Sequence, residues 1–120
     1  MNKHLELGKL GEKMAAELLR KKGYSILKQN YFFGKAEVDI VAQVNNQLVF
    51  VEVKTRESSY LSDPEYTVSM KKQRLVIKAA DAYVKEFDLD LESRFDVVTV
   101  IVNKQYTKID HLEDAFFPTV

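Results

Sequence analysis

Residues 38–56 read VDIVAQVNNQLVFVEVKTR. Two apolar, β-branched runs flank Asn45-Asn46, the pattern of a β-hairpin closed by a two-residue turn. Asn tolerates the positive φ that such turns require. With that turn Val44 faces Gln47. Counting outward sets Asp39 across from Glu52, and Glu37 across from Lys54. Strand residues two apart share a face. The four charged residues are therefore expected on one side with Val41, Leu48 and Phe50. Val38, Ile40, Ala42, Val49, Val51 and Val53 are expected on the other. A turn longer by one residue would invert the assignment.

Directly opposed carboxylates repel. If buried, one of them must stay protonated or find a counter-charge. A divalent cation answers this, because Mg²⁺ and Mn²⁺ prefer carboxylate, carbonyl and water oxygens. Asp39 and Glu52 are the candidate ligands, with the Val53 carbonyl as a third. The alternative is a solvated sheet face on which Lys54 and a glutamate form an ion pair of little energy. The apolar neighbours on that face favour partial burial.

Outward from the hairpin, residues 6–22 carry helical periodicity through Leu7, Leu10, Gly11, Met14, Ala15, Leu18 and Leu19, and Gly23 is the expected stop. Glu12 lines up with Ala15, Ala16 and Leu19 and so borders the buried face, whereas Glu17 groups with Lys13 and Arg20. A strand over 24–32 follows. Residues 56–67 read as a surface loop around Pro64, with a turn of helix after Ser62. Ser69 is the expected N-cap of a second helix over 70–87, with Leu75, Ala79, Ala82 and Tyr83 facing inward. RFDVVTVIV, residues 94–102, is a buried strand. A last short strand is expected near 108–112, then a tail whose Phe116 and Phe117 pack down. The expected class is α/β: one mixed sheet flanked by helices, a single domain over residues 1–120.

Composition narrows the chemistry. Eighteen basic residues balance eighteen acidic ones, so bulk charge does not suit a protein that coats nucleic acid; a local basic patch remains open. Cysteine is absent, which removes disulfides and thiolate metal sites, and His4 and His111 stand too far apart in sequence to suggest zinc. Neither a nucleophile elbow nor a glycine-rich phosphate loop occurs. With no leader-like or membrane-spanning run, a cytoplasmic location and no membrane partner are expected.

Asp39, twelve intervening residues, then Glu52-Val53-Lys54 resembles the PD-(D/E)xK nuclease motif. LGKLGEKMAAELLRKKGYSILKQNYFFGKAEVDIVA, LVFVEVKTR, KKQRLVIKAADAYV and RFDVVTV, in that order, resemble the bacterial YraN-like family. The resemblance implies a restriction-endonuclease-like fold with an αβββαβ core and kinship with Holliday junction resolvases. It implies an active site of Glu12, Asp39, Glu52 and Lys54, with Glu37 as a supporting acid. Val38 stands where the broad motif often has proline, and Ala36 where YraN-like sequences usually have glycine. A homodimer follows by analogy with resolvases, since a junction has two-fold symmetry.

Two functions are consistent with these residues. The first is Mg²⁺- or Mn²⁺-dependent hydrolysis of phosphodiester bonds in DNA, with branched recombination intermediates as candidate substrates. The second is a catalytically silent nucleic-acid-binding or interaction module of a DNA repair or recombination complex. In either, Thr55, Arg56, Lys71, Lys72 and Arg74 are the expected contacts to nucleic acid, the lysines acting beside the amides of a helix N-terminus. Tyr31, Phe32 and Phe33 suit either base stacking or core packing, and Gln73 is a minor candidate for the site.

Overall fold

The computed structural model describes residues 3–57 and 68–118, so the loop turn expected after Ser62 lies outside the described residues. The elements are α1 (Lys3–Lys21), β1 (Ser25–Phe33), β2 (Ala36–Val44), β3 (Gln47–Arg56), α2 (Met70–Glu86), β4 (Glu92–Val102) and β5 (Thr107–Phe116). Asn45 takes φ 53° and Val44 pairs with Gln47, the turn and register expected from the sequence. One sheet runs β1-β2-β3-β4-β5. All neighbours are antiparallel except β3 and β4. That parallel pair needs a crossover, and the chain between them supplies it as α2. This is the α/β, restriction-endonuclease-like arrangement of one mixed sheet between helices. Among the described residues no helix is long and apolar enough to cross a membrane.

Each face of the sheet has its own core. Ala15, Ala16 and Leu19 of α1 pack on Ile40, Ala42, Val49, Val51, Val98 and Val100. Val76, Ala79, Ala80 and Tyr83 of α2 pack on Val41, Leu48, Phe50, Phe95 and Val97 on the other face. β4 is covered on both faces, which is why its sequence is a continuous apolar run. Ser69 caps α2, its Oγ accepting from the Lys72 N–H at 3.1 Å. The inward stripe of α2 is broader than expected: Val76 and Ala80 are buried with Ala79 and Tyr83, Leu75 packs half-buried against the same core, and Ala82 is only half-buried. β5 is also longer than expected. It continues through Phe116, which is buried, while Phe117 is 65% exposed.

Beneath the C-terminal end of α1, Asp96 is wholly buried and fully partnered. It accepts from Arg94 Nε and Nη2 at 2.9 and 2.8 Å, from His111 Nε2 at 2.7 Å and from the Asp114 N–H at 3.1 Å. Burial pushes the Asp96 carboxyl up, but the hydrogen bonds from His111 and Arg94 outweigh it and hold the group below its ordinary value. His111 Nδ1 lies 2.9 Å from Lys22 Nζ. An ammonium only donates, so Nδ1 accepts and the ring proton sits on Nε2, facing Asp96. His111 thus ties β5 and the end of α1 to β4.

At its other end α1 touches the sheet through Gly11. A Cβ built there would stand 2.7 and 2.8 Å from Thr55 Cγ2 and Cβ. Absence of a side chain lets α1 settle onto β3 and delivers Glu12 to the sheet. Gly11→Ala is expected to cost about 1–3 kcal/mol in urea denaturation. Adding Thr55→Ala should recover part of that loss, and strictly additive costs would contradict the close approach.

Candidate active site

The site forms where β2 and β3 part. Their paired residues end at Ile40–Val51. Continued pairing would set Val38 against Val53, but the Val53 N–H donates instead to Asp39 Oδ2 at 2.8 Å. A side-chain carboxylate has replaced a backbone acceptor. The face alternation of β2 shifts at the same place. Val38 packs in the α2-side core, whereas Ile40, two residues on, packs in the α1-side core. The expectation that Val38 and Ile40 share a face is thereby corrected, and with it the expectation that Asp39 lies on one face with Val41, Glu52 and Lys54: Asp39 opens toward α1, whereas Glu52 faces Lys72 of α2. The shift coincides with an irregularity in β1, where Asn30, across from Asp39 between the pairs Gln29–Ile40 and Tyr31–Val38, adopts φ 55°. A left-handed residue inside a strand twists the ladder locally and turns its partner.

Asp39 consequently opens into a cleft of about 380 Å³ lined by Leu7, Gly8, Glu12, Asp39, Val53 and Thr55. Glu52 is only 6% exposed. Its Oε2 lies 3.6 Å from Lys72 Nζ on α2. Burial, and next the Glu52 charge, push the Asp39 carboxyl up to about 8. Burial pushes Glu52 up to about 7 despite the opposing pull of Lys72. Glu12 is raised too, by burial and then by the charge of Glu37. Glu37 also hydrogen-bonds the Asp39 side chain. Four acids therefore share one field at the strand fork.

Two of their oxygens, Glu12 Oε1 and Glu52 Oε1, are buried with no hydrogen-bond partner among the described residues. Ionised carboxylates only accept, so what these atoms lack is a proton, a donor or a cation. Among the described residues, no three acidic or histidine side chains converge closely enough to hold an ion by themselves. The donor set that fits a cation is thus Asp39 and Glu52 completed by a main-chain carbonyl such as that of Val53, and by water. All of these are hard oxygen ligands of the kind Mg²⁺ and Mn²⁺ take.

The remaining expected residues distribute differently. Lys54 is half-buried on β3, paired with Thr99 of β4, and strand alternation sets it on the same face as Glu52. Thr55 lies on the opposite face, against Gly11. Arg56 ends β3, half-buried. Lys72 faces Glu52, while Lys71 is exposed and Arg74 lines a separate cavity with Ile77, Lys78 and Phe95. The Gln73 amide donates to the Val68 carbonyl at 2.8 Å, anchoring the start of α2. Tyr31 is core, its hydroxyl donating to Glu86 Oε2 at 3.1 Å, and Phe32 is 62% exposed. Sequence reasoning missed Asn30; the available signal was a turn-forming residue inside a strand pattern. Gly11 carried a signal of the same kind within its helix, a glycine where the backbone comes close.

Comparison with known proteins gives a consistent picture. The family described as "Uncharacterised protein family UPF0102" matches residues 11–100, which includes all four acids and Lys54. A UPF0102 protein of Flavobacterium psychrophilum is 50% identical over 117 residues, covering 98% of each chain. One from Christiangramia forsetii is 49% identical over 117 residues, again 98% of each. One from Phocaeicola vulgatus is 45% identical over 120 residues, covering 100% of this chain and 99% of its own.

The raised carboxyls make stability depend on pH. Asp39 ionises near 3.9 in an unfolded chain and near 8 in the folded one. Between those values the folded state holds a proton that the unfolded state has lost. Stability contributed by this group therefore falls as pH rises from about 4 to 8. Asp39→Asn keeps an acceptor for the Val53 N–H and removes the ionisation. In metal-free buffer its Tm is expected several degrees above the parent at pH 8, with the difference vanishing near pH 4. A variant less stable than the parent at pH 8 would contradict a buried, uncompensated charge.

Proposed function

The chain belongs to the UPF0102 (YraN-like) family, and we propose that it is a metal-dependent nuclease hydrolysing phosphodiester bonds of DNA. The observation that carries this reading is the pair of buried carboxylates, Asp39 and Glu52, both pushed up by burial, on neighbouring strands that separate around them. A fold that needed only stability would fill that space with apolar side chains.

Asp39 and Glu52, with the Val53 carbonyl, would hold Mg²⁺ or Mn²⁺, which when bound supplies positive charge to the scissile phosphate and acidifies a water. Lys54, on the same face as Glu52, neutralises charge developing on the phosphate oxygens and orients the attacking water. Lys72 holds Glu52 in place through its ion pair. Glu12, at the lip of the cleft with one oxygen unpaired, accepts a hydrogen bond from water entering beside Asp39. Branched or recombination intermediates are the substrates we propose to test first.

One observation favours the catalytically silent alternative. Lys72 already offers Glu52 a counter-charge, which lessens the need for an ion. A panel of junctions, flaps, duplexes and single strands, with and without Mg²⁺ or Mn²⁺, separates the two. The nuclease reading expects metal-dependent cleavage that Glu52→Gln and Lys54→Ala each reduce at least about 100-fold, with melting temperature preserved. Chelator-resistant cleavage, or cleavage equal in both variants, would identify a contaminant. No cleavage of any substrate would leave the silent binder.

A further inference from the structure

A second concavity adjoins the acidic cleft and shares one wall with it. It measures about 200 Å³ and lies between α1 and the edge strand β1, lined by Lys9, Glu12, Lys13, Arg20, Gln29 and Asn30. Glu12 is common to both. We infer that this cleft binds the sugar-phosphate backbone of one nucleic-acid strand and leads it to the acids at the strand fork. The inference rests on the nucleic-acid reading of the site above and extends it, since none of the basic contacts expected from the sequence lies on α1 or β1.

Three features of the cleft support this occupant. The first is charge without internal partners. Lys9, Lys13 and Arg20 are exposed, and none forms an ion pair among the described residues. The same holds for Lys71, Arg74 and Lys78 of α2, but the α1 cations line a cleft that shares Glu12 with the acids at the strand fork. The second is spacing. At 1.5 Å per residue Lys9 and Lys13 stand about 6 Å apart along the helix, with Arg20 about 10 Å further on. A row of that length suits successive phosphates of a single strand. Its first two cations flank Glu12, the residue at the junction with the acidic cleft.

The third feature is Asn30. It is held at φ 55° inside a strand, a conformation that costs energy for any residue but glycine and is least costly for Asn. It lies across the strand pair from Asp39, where β2 changes face. Asn30 and Gln29 add amide donors and acceptors on the wall facing the cations, where they suit phosphate and sugar oxygens. Cations on one wall and neutral amides on the other, with Glu12 where the cleft meets the acids, suit an extended anionic chain better than a compact anion.

The test is fluorescence anisotropy of the full chain with labelled single-stranded DNA and RNA, in chelator, across a salt series. Lys9→Ala/Lys13→Ala/Arg20→Ala is compared with Lys78→Ala/Lys85→Ala/Lys104→Ala, which removes the same charge from exposed positions given no binding role. The cleft triple is expected to weaken binding at least about tenfold and to lower the salt slope by about 2, as loss of three phosphate contacts requires. The control triple should change affinity less than about threefold. Asn30→Asp, which keeps a side chain tolerant of the same φ, should weaken binding with Tm unchanged. Equal losses in the two triples, an unaffected cleft triple, or no binding by the parent chain at low salt would each overturn the inference. Hydrolysis is scored separately. Cleft-dependent binding without cleavage defeats only the nuclease reading, and cleavage by a cleft triple with unchanged affinity defeats only this one.

Discussion

The constraint on which this structure turns is the burial of like charge where two antiparallel strands separate. Asp96 shows how the same protein buries an acid for stability. That carboxylate accepts from a guanidinium, an imidazole and a backbone amide, and is held below its ordinary pKa. Asp39 and Glu52 lie on the neighbouring strands β2 and β3 and are treated in the opposite way. Each is pushed up, and Glu52 keeps an oxygen without a partner. A buried, under-satisfied acid is expensive, and its position in a cleft points to use rather than accident.

The rest of the architecture positions those two groups. The β3–α2–β4 crossover makes the parallel pair and brings Lys72 over Glu52. Gly11 lets α1 approach Thr55 closely enough for Glu12 to join the field. Asn30 gives up regular strand geometry where Asp39 leaves the apolar alternation of β2. Each is a local departure from the best secondary structure: a glycine in a helix, a left-handed residue in a strand, a carboxylate in place of a ladder acceptor. Departures that gather at one place mark functional sites more often than faults of folding.

Much of this was legible from period and punctuation. Hydrophobic alternation around Asn45-Asn46 set the hairpin and its register, and Ser69 marked the start of α2. The αβββαβ order followed from run lengths. What escaped the sequence depended on partners distant along the chain. The kink at Asn30 has no side-chain period to betray it, so Val38 was assigned to the wrong face. Lys72 looked like a phosphate ligand because its ion pair with Glu52 spans the crossover. The Arg94–Asp96–His111 cluster was invisible because its members lie on separate strands and only the sheet unites them. β5 ran on to Phe116 because pairing with β4, absent from any local pattern, extends it.

The central claim is that Asp39 and Glu52 form a cation site that holds protons while no cation is bound. Isothermal titration of Mn²⁺ at pH 7, run in two buffers of different ionisation enthalpy, tests it most directly. The account predicts one ion per chain taken up with release of about one proton or more, and loss of both signals in Asp39→Asn. Binding without proton release, or no binding in the parent chain with oligonucleotide present, would contradict it.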